Sequence, residues 1–313
     1  MNRDRSHCST DCGWIPLQIR NIDPTTVEII ETLLNQIPDL PVSVQKILQS
    51  IYDEKSKIKE IADIVASDPV LTSRILRVVN STYYGLREKV DNIYLAIVLL
   101  GLNEVRNVAL HLGVSNVLGK GFEYSGYDTR SLWMHSYMVS LCAETFAGSE
   151  DQYHAGVLLT VGLLHDIGKF ALAGIGHLFK QKGIKLQDLK FLPTHAYLLQ
   201  KEEHLFGVNH TIVGGMLAKR WNFSERTQIV IEYHHHPSFY GIKSLPQMYA
   251  EDIIIIRLAD LIVNHLAGAE NHPPEPHPYF FEILGFNPPA EKLITDELKS
   301  KLSKAREFLH SLA

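Results

Sequence analysis

Gly162-Leu163-Leu164-His165-Asp166-Ile167-Gly168-Lys169-Phe170-Ala171-Leu172 is the run on which the reading of the fold turns. Upstream of the pair, Tyr153 to Leu164 reads as an apolar helix, and polar residues at the end of such a helix ordinarily face water. Here Ile167, Phe170, Ala171 and Leu172 resume the apolar pattern directly after His165-Asp166. A carboxylate flanked by apolar sequence on both sides is headed for the interior, where it is costly unless paired or coordinating a cation. The dipeptide by itself carries no weight, since a chain this rich in both residues yields about one His-Asp pair by chance. Its setting carries the weight. Adjacent helical residues diverge by about 100°, yet both can reach one ion placed over the helix end, and the two oxygens of an aspartate can bridge two ions.

Outward from this run the pattern stays helical. Ile58, Ile61 and Val65 form one apolar stripe, and Leu71, Ile75, Val78 and Val79 form the next, in a helix opened by Asp68 as N-cap and Pro69 in its first turn. Leu40-Pro41 marks entry to an earlier helix through Val44, Ile47, Leu48 and Ile51. Gly101 separates the apolar run Ile93 to Leu100 from a helix over about Asn103 to Leu118. There is no alternating strand pattern of useful length, no Gly-rich phosphate loop and no internal repeat. The fold class expected is all-α. Turn-rich sequence from Gly119 to Gly126 divides the chain near residue 125, Asn271 to Pro278 reads as a Pro- and His-rich linker, and a last helix is expected over about Glu291 to Leu312. The expected organisation is a flexible tail over 1–24, a helical subdomain over 25–124, a second helical unit over 125–270, and linker plus helix over 271–313.

Bulk composition narrows the function classes. The 313 residues are 45% hydrophobic and 21% charged, which is the balance of a folded globular chain. A net charge of −5 argues against general nucleic-acid binding, which needs many uncompensated Lys and Arg. No run approaches eighteen consecutive apolar residues, so neither a membrane span nor a membrane partner is expected. Residues 1–20 lack a signal-peptide core, and three cysteines (Cys8, Cys12, Cys142) build no disulfide framework. A cytoplasmic location is expected. Cys8, Cys12 and His7 form an incomplete ligand set, better read as part of the tail.

Sixteen histidines are about twice an ordinary share. Besides His165 and Asp166, five residues join the candidate site. Asp260 lies in Asp252 to Val263, a helix apolar on most sides; the alternative reading is a pair with Arg257 at i,i+3. His135 lies near the start of a helix capped by Ser131. His210 opens the helix His210 to Trp221, where Gly214 and Gly215 allow close packing. His234-His235 end the helix Glu225 to His236, stopped by Pro237. A lone histidine of this kind is more often structural than a ligand, but five helices each delivering such residues are hard to dismiss. The other histidines (His7, His111, His154, His177, His195, His204, His236, His265, His272, His277 and His310) read as structural or surface residues. Five imidazoles and two carboxylates without thiolate suit Fe, Mn, Zn, Ni or Co better than Mg or Ca.

Taken with Pro38-Asp39-Leu40-Pro41, Asp68-Pro69-Val70-Leu71, Val79-Asn80-Ser81, Leu100-Gly101, Trp133, Phe206-Gly207 and Trp221, these residues resemble the HDOD family, a branch related to the HD superfamily of metal-dependent phosphohydrolases. The resemblance runs from about Ile37 to His236, and to Asp260 beyond. It implies an N-terminal helical subdomain on an HD-like metal-binding core, and a bacterial signalling or regulatory role with a signalling protein as partner. It also implies two divalent transition-metal ions. His135, His165, Asp166 and Asp260 would hold one, and Asp166 would bridge to a second held by His210, His234 and His235. By similarity to HD-GYP phosphodiesterases, Lys169 is the candidate catalytic residue, holding a substrate phosphate; the plain alternative is a solvated lysine. The chain departs from those enzymes after the paired histidines, reading His236-Pro237-Ser238-Phe239-Tyr240-Gly241 without the Asp-Gly-x-Gly-Tyr-Pro run, which argues against cyclic-di-GMP hydrolysis. The competing functional expectation is a metal-dependent phosphohydrolase or phosphodiesterase with a nucleotide-like phosphoester ligand.

Overall fold

The computed structural model describes residues 24–50, 58–81, 84–118, 129–147, 152–173, 198–236, 245–267, 280 and 293–311, and the regular structure among them is entirely helical. Six helices form the first part: α1 (Pro24–Leu34), α2 (Val42–Gln49), α3 (Ile58–Ala66), α4 (Pro69–Val79), α5 (Ile93–Leu100) and α6 (Leu102–Leu118). Asp68 caps α4 through Oδ1, which accepts from the amides of Val70 and Leu71, each at 3.0 Å, while its other oxygen takes the Ser43 hydroxyl at 2.5 Å and ties α2 to α4. Asn80 clasps Val90 from both sides, donating to its carbonyl at 2.7 Å and accepting from its amide at 2.8 Å. Gly101, at φ 82°, supplies the left-handed residue that lets α5 turn into α6 at 107°.

The second part comprises α7 (Thr129–Ala147), α8 (Gln152–Leu164), α9 (167–173), α10 (Leu198–Phe206), α11 (His210–Arg220), α12 (Glu225–Tyr233), α13 (Ala250–Leu266) and α14 (Asp296–Ser311). Here α7 and α8 pack along each other, with α13 and α14 also against α7 and α12 across α8 and α13. One continuous core joins the two parts, running from Ile30 and Ile47 through Leu110 and Leu158 to Ile256 and Leu302. Polar clasps reinforce the seam: Arg220 donates to the carbonyl of Ile37 at 2.7 Å, and the Trp221 indole to that of Pro38 at 3.3 Å.

Several boundaries differ from expectation for identifiable reasons. Thr129 already lies in α7, so Ser131 is inside the helix rather than its cap. The last helix begins at Asp296, where the Thr295 hydroxyl accepts from the amide of Leu298 at 3.1 Å. Helix α12 ends at Tyr233, leaving His234 and His235 in a turn. Among the described residues, one single helical run, His154–Ala173, is long and apolar enough to cross a membrane, and its apolar stretch is buried within the fold as a core element. The expected tail, the division near 125 and the 271–278 linker lie outside the described residues, as do Cys8, Cys12 and His7.

Candidate metal centre

Three local devices bring the candidate residues together. The first is the break at His165-Asp166, where α8 gives way to a turn before α9 resumes, so that both side chains leave the end of a helix. The second is glycine at the crossings. A Cβ on Gly162 would stand 2.6 Å from Cα of Ser140 in α7, and one on Gly168 only 1.8 Å from the carbonyl oxygen of His210. Gly214 lies on the other side of that contact, 3.2 Å from the Gly168 nitrogen if given a Cβ. Backbone therefore meets backbone where α8 and α9 cross α7 and α11. The third is the Asn209 cap, whose side-chain oxygen accepts from the amides of Thr211 and Ile212 and starts α11 with His210 facing inward.

These devices gather all seven residues into two adjoining groups. Asp166, His210, His234 and His235 offer ligand atoms within 4.8 Å of one another, and His135, His165 and Asp260 form a second such set. Asp166 stands between them. Its Oδ2 lies 3.3 Å from Nε2 of His165 and 3.7 Å from Nε2 of His135, while Oδ1 lies 3.3 Å from Nε2 of His210 and 3.8 Å from that of His234. Asp260 Oδ1 approaches His135 Nε2 at 3.1 Å. Nε2 of His165, His210 and His234 is buried and completes no hydrogen bond, as is Oδ1 of Asp166. Converging buried nitrogens and oxygens left without partners are the arrangement a cation would satisfy, so the donor set fits metal ions.

The opposite edge of each ring is held. Nδ1 of His165 meets the Gly162 carbonyl and Nδ1 of His234 the Ile231 carbonyl, each at 2.7 Å. A proton on each Nδ1 leaves Nε2 as a lone pair aimed at the centre. His210 is held by Glu202, whose Oε2 accepts from the His210 amide at 2.8 Å and lies 2.6 Å from Nδ1. Glu202 is fully buried and was not anticipated from sequence. His235 differs. Arg257 lies 3.0 Å from its Nδ1, and a guanidinium can only donate, so this contact places the ring proton on Nε2.

Electrostatics follow from burial and crowding. Burial would raise the Asp166 pKa, but His165 and Lys169 outweigh it and hold the carboxyl well below the usual range. Burial would lower that of His165, yet Asp166 beside it raises it. His234 and His235 are pushed well down, by burial first and then by neighbouring imidazoles, with Arg257 adding to the effect on His235. Lys169, 4% exposed, sets Nζ 2.5 Å from Asp166 Oδ2. The solvated-lysine alternative is therefore displaced: the ammonium is inside, on the central carboxylate. Asp260 makes the expected pair with Arg257, which donates to Oδ2 at 2.7 Å, while its Oδ1 faces His135 at 3.1 Å.

Three other histidines among the described residues have partners of their own. His154 pairs with Asp252 at 2.7 Å, His111 packs edge-on against Trp133, and His236 against Tyr233.

Comparison with known proteins agrees with this architecture. The HDOD domain profile matches residues 37–237. An HDOD domain protein of unknown function from Geobacter sulfurreducens superposes with a TM-score of 0.64 at 26% identity, covering 92% of this chain and 99% of its own. A Marinobacter aquaeolei VT8 protein, named as a candidate signal transduction protein, gives 0.71 at 18% identity over 93% of this chain and 67% of its own. One from Shewanella amazonensis SB2B, named as a candidate phosphohydrolase, gives 0.61 at 21% over 91% and 98%. By sequence, an uncharacterized protein of Treponema pallidum (strain Nichols) is 24% identical over 75% of this chain, which spans only 44% of that relative. The match covers the cap that starts α11, the glycine crossings and six of the seven clustered residues, and the chain belongs to the HDOD domain family.

Proposed function

We propose that the chain is a signalling or regulatory HDOD module built on a closed dinuclear metal centre. The observation that carries this reading is the burial of the ligand set. His165, Asp166, His210, His234, His235 and Asp260 are each no more than 2% exposed, and only the His135 side chain, at 16%, touches solvent. Catalytic metals keep a position open to water or substrate, whereas structural ones are closed. Two transition-metal ions, one held by His135, His165, Asp166 and Asp260 and one by Asp166, His210 and His234, would fix five helices relative to one another. His235 would join the second ion through Nε2 once its ring proton sits on Nδ1 instead, which requires Arg257 to give up its contact there. A signalling protein partner would then read the arrangement of those helices.

A second reading, metal-dependent phosphohydrolysis of a nucleotide-like phosphoester, is supported by Lys169 at the bridging carboxylate and by the one partly exposed ligand, His135. In that role, bound ions would supply Lewis acidity and a hydroxide at neutral pH, and Lys169 would exchange Asp166 for a phosphate oxygen. Elemental analysis of protein purified without chelator, followed by assay with bis(p-nitrophenyl) phosphate, decides between the readings. About two ions per chain without turnover is the outcome expected. Turnover that disappears in Asp166→Ala would establish the enzyme, and no bound Fe, Mn, Zn, Ni or Co even after reconstitution would remove both.

A further inference from the structure

A cleft separate from the histidine cluster opens where α4 and α6 meet α7 and α8, with about 540 Å³ of space continuous with solvent. Its inner surface is apolar, made by Val78, Val108 and Leu163, each at most 6% exposed. At its mouth, one turn apart on α4, stand Arg74 and Arg77, both exposed and neither in an ion pair among the described residues. The only acid on the lining does not neutralise them outright. Glu104 accepts the Tyr137 hydroxyl at 2.9 Å, and burial pushes its pKa up to about 7, with that hydroxyl tempering the rise.

Asn107 is the independent sign of a ligand. It lines the cleft, is 2% exposed, and neither its Oδ1 nor its Nδ2 completes a hydrogen bond among the described residues. A buried amide left unpaired is costly, and this residue lines a space with an apolar floor and a cationic rim.

We propose that this cleft binds a small amphipathic anion: an apolar body against Val78, Val108 and Leu163, one N–H or O–H donated to Asn107 Oδ1, and an anionic head on Arg74 and Arg77. The apolar floor, the unpaired Asn107 amide and the two arginines each restrict the class. An inorganic anion would leave the floor and Asn107 unused, and a neutral apolar compound would leave the arginines unused. The occupant would rest on α7 and α8, the helices that carry His135 and His165, but the assignment does not depend on metal in the other site.

The test uses two fluorescent probes with the same apolar body and the same N–H. One, 1-anilinonaphthalene-8-sulfonate, carries an anion; the other, N-phenyl-1-naphthylamine, does not. Titration of the full chain should show one saturable site for the sulfonate, with the neutral probe at least about tenfold weaker, as expected when charge-assisted contacts are lost. The double variant Arg74→Ala, Arg77→Ala should weaken the sulfonate at least about tenfold with circular dichroism unchanged, because both side chains are exposed. Asn107→Leu should weaken both probes several-fold. The exposed apolar face of α5 is the competing probe site, so Leu95→Lys with Val98→Lys serves as control and should leave the affinity unchanged. Equal affinity for the two probes, indifference to loss of the arginines, or abolition by the α5 variant would each overturn the assignment.

Discussion

Lys169 occupies the place where a cation's charge is needed. With Nζ 2.5 Å from Asp166 Oδ2, it compensates the central carboxylate from within the protein, and an ion bridging through that oxygen must displace it. Lys169→Met should therefore act in opposite directions on two states. Metal-free protein loses a buried pair partner, a change that costs about 3–5 kcal/mol, so its melting temperature should drop. Metal affinity should rise about tenfold, because no ammonium has to leave. Calorimetric titration of the variant checks this, and a fall in affinity would mean that the lysine orients Asp166 rather than competing for it. Glu202 acts one step away, through His210, so Glu202→Gln should lower metal affinity about 10–100-fold, the usual cost of losing the partner of a ligating histidine. His235→Ala should lower metal content less than His210→Ala does, because Arg257 already engages the His235 ring. Equal losses measured by elemental analysis would show that the Arg257 contact yields when metal arrives.

At the scale of helices, the crossing of α9 and α11 is the tightest constraint. A Cβ on Gly168 would fall 1.8 Å from the His210 carbonyl oxygen, a contact with backbone that no side-chain rotation relieves. Gly168→Ala should thus cost more than the 1–3 kcal/mol typical of core overpacking, and it should strip metal by moving Asp166 from His210; thermal melts and elemental analysis of the same sample would show both. This crossing also marks how far the sequence could be read. The apolar flanks of His165-Asp166 pointed to a buried pair at a helix end, and Pro237 marked the end that carries His234 and His235, although the helix itself stops at Tyr233. Asp68 with Pro69 announced α4 through local capping chemistry, which sequence states directly. Glu202 was invisible for the opposite reason. It sits beside Glu203 in a short, strongly charged helix, and only the tertiary placement of α10 against the start of α11 decides that Glu202 turns in and Glu203 out. Ser131 misled because the helix begins earlier, at Thr129, than its apolar pattern suggests.

For the molecule as a whole, one core runs through both helical parts, so loss of a metal held as proposed would be felt throughout. Chelation should lower the melting temperature in a single cooperative step, since ligand held at about 100 times its Kd stabilises by about 2.7 kcal/mol. Asp166→Ala should lower metal content towards zero and remove the response to chelator; a folded variant that keeps its full complement would end the bridging assignment. The ligands are also ordered along the chain: His135 on α7, the pair after α8, His210 on α11, His234 and His235 after α12, and Asp260 late in α13. A ribosome adding about 5–20 residues per second delivers the first histidine many seconds before the last aspartate. Throughout that interval the chain would carry its histidines before Asp260 can complete the set. On the proposed reading, an ion at this centre would be enclosed last, by α13 with Asp260, so the ions available while the chain is made would bear on which metal the finished protein holds.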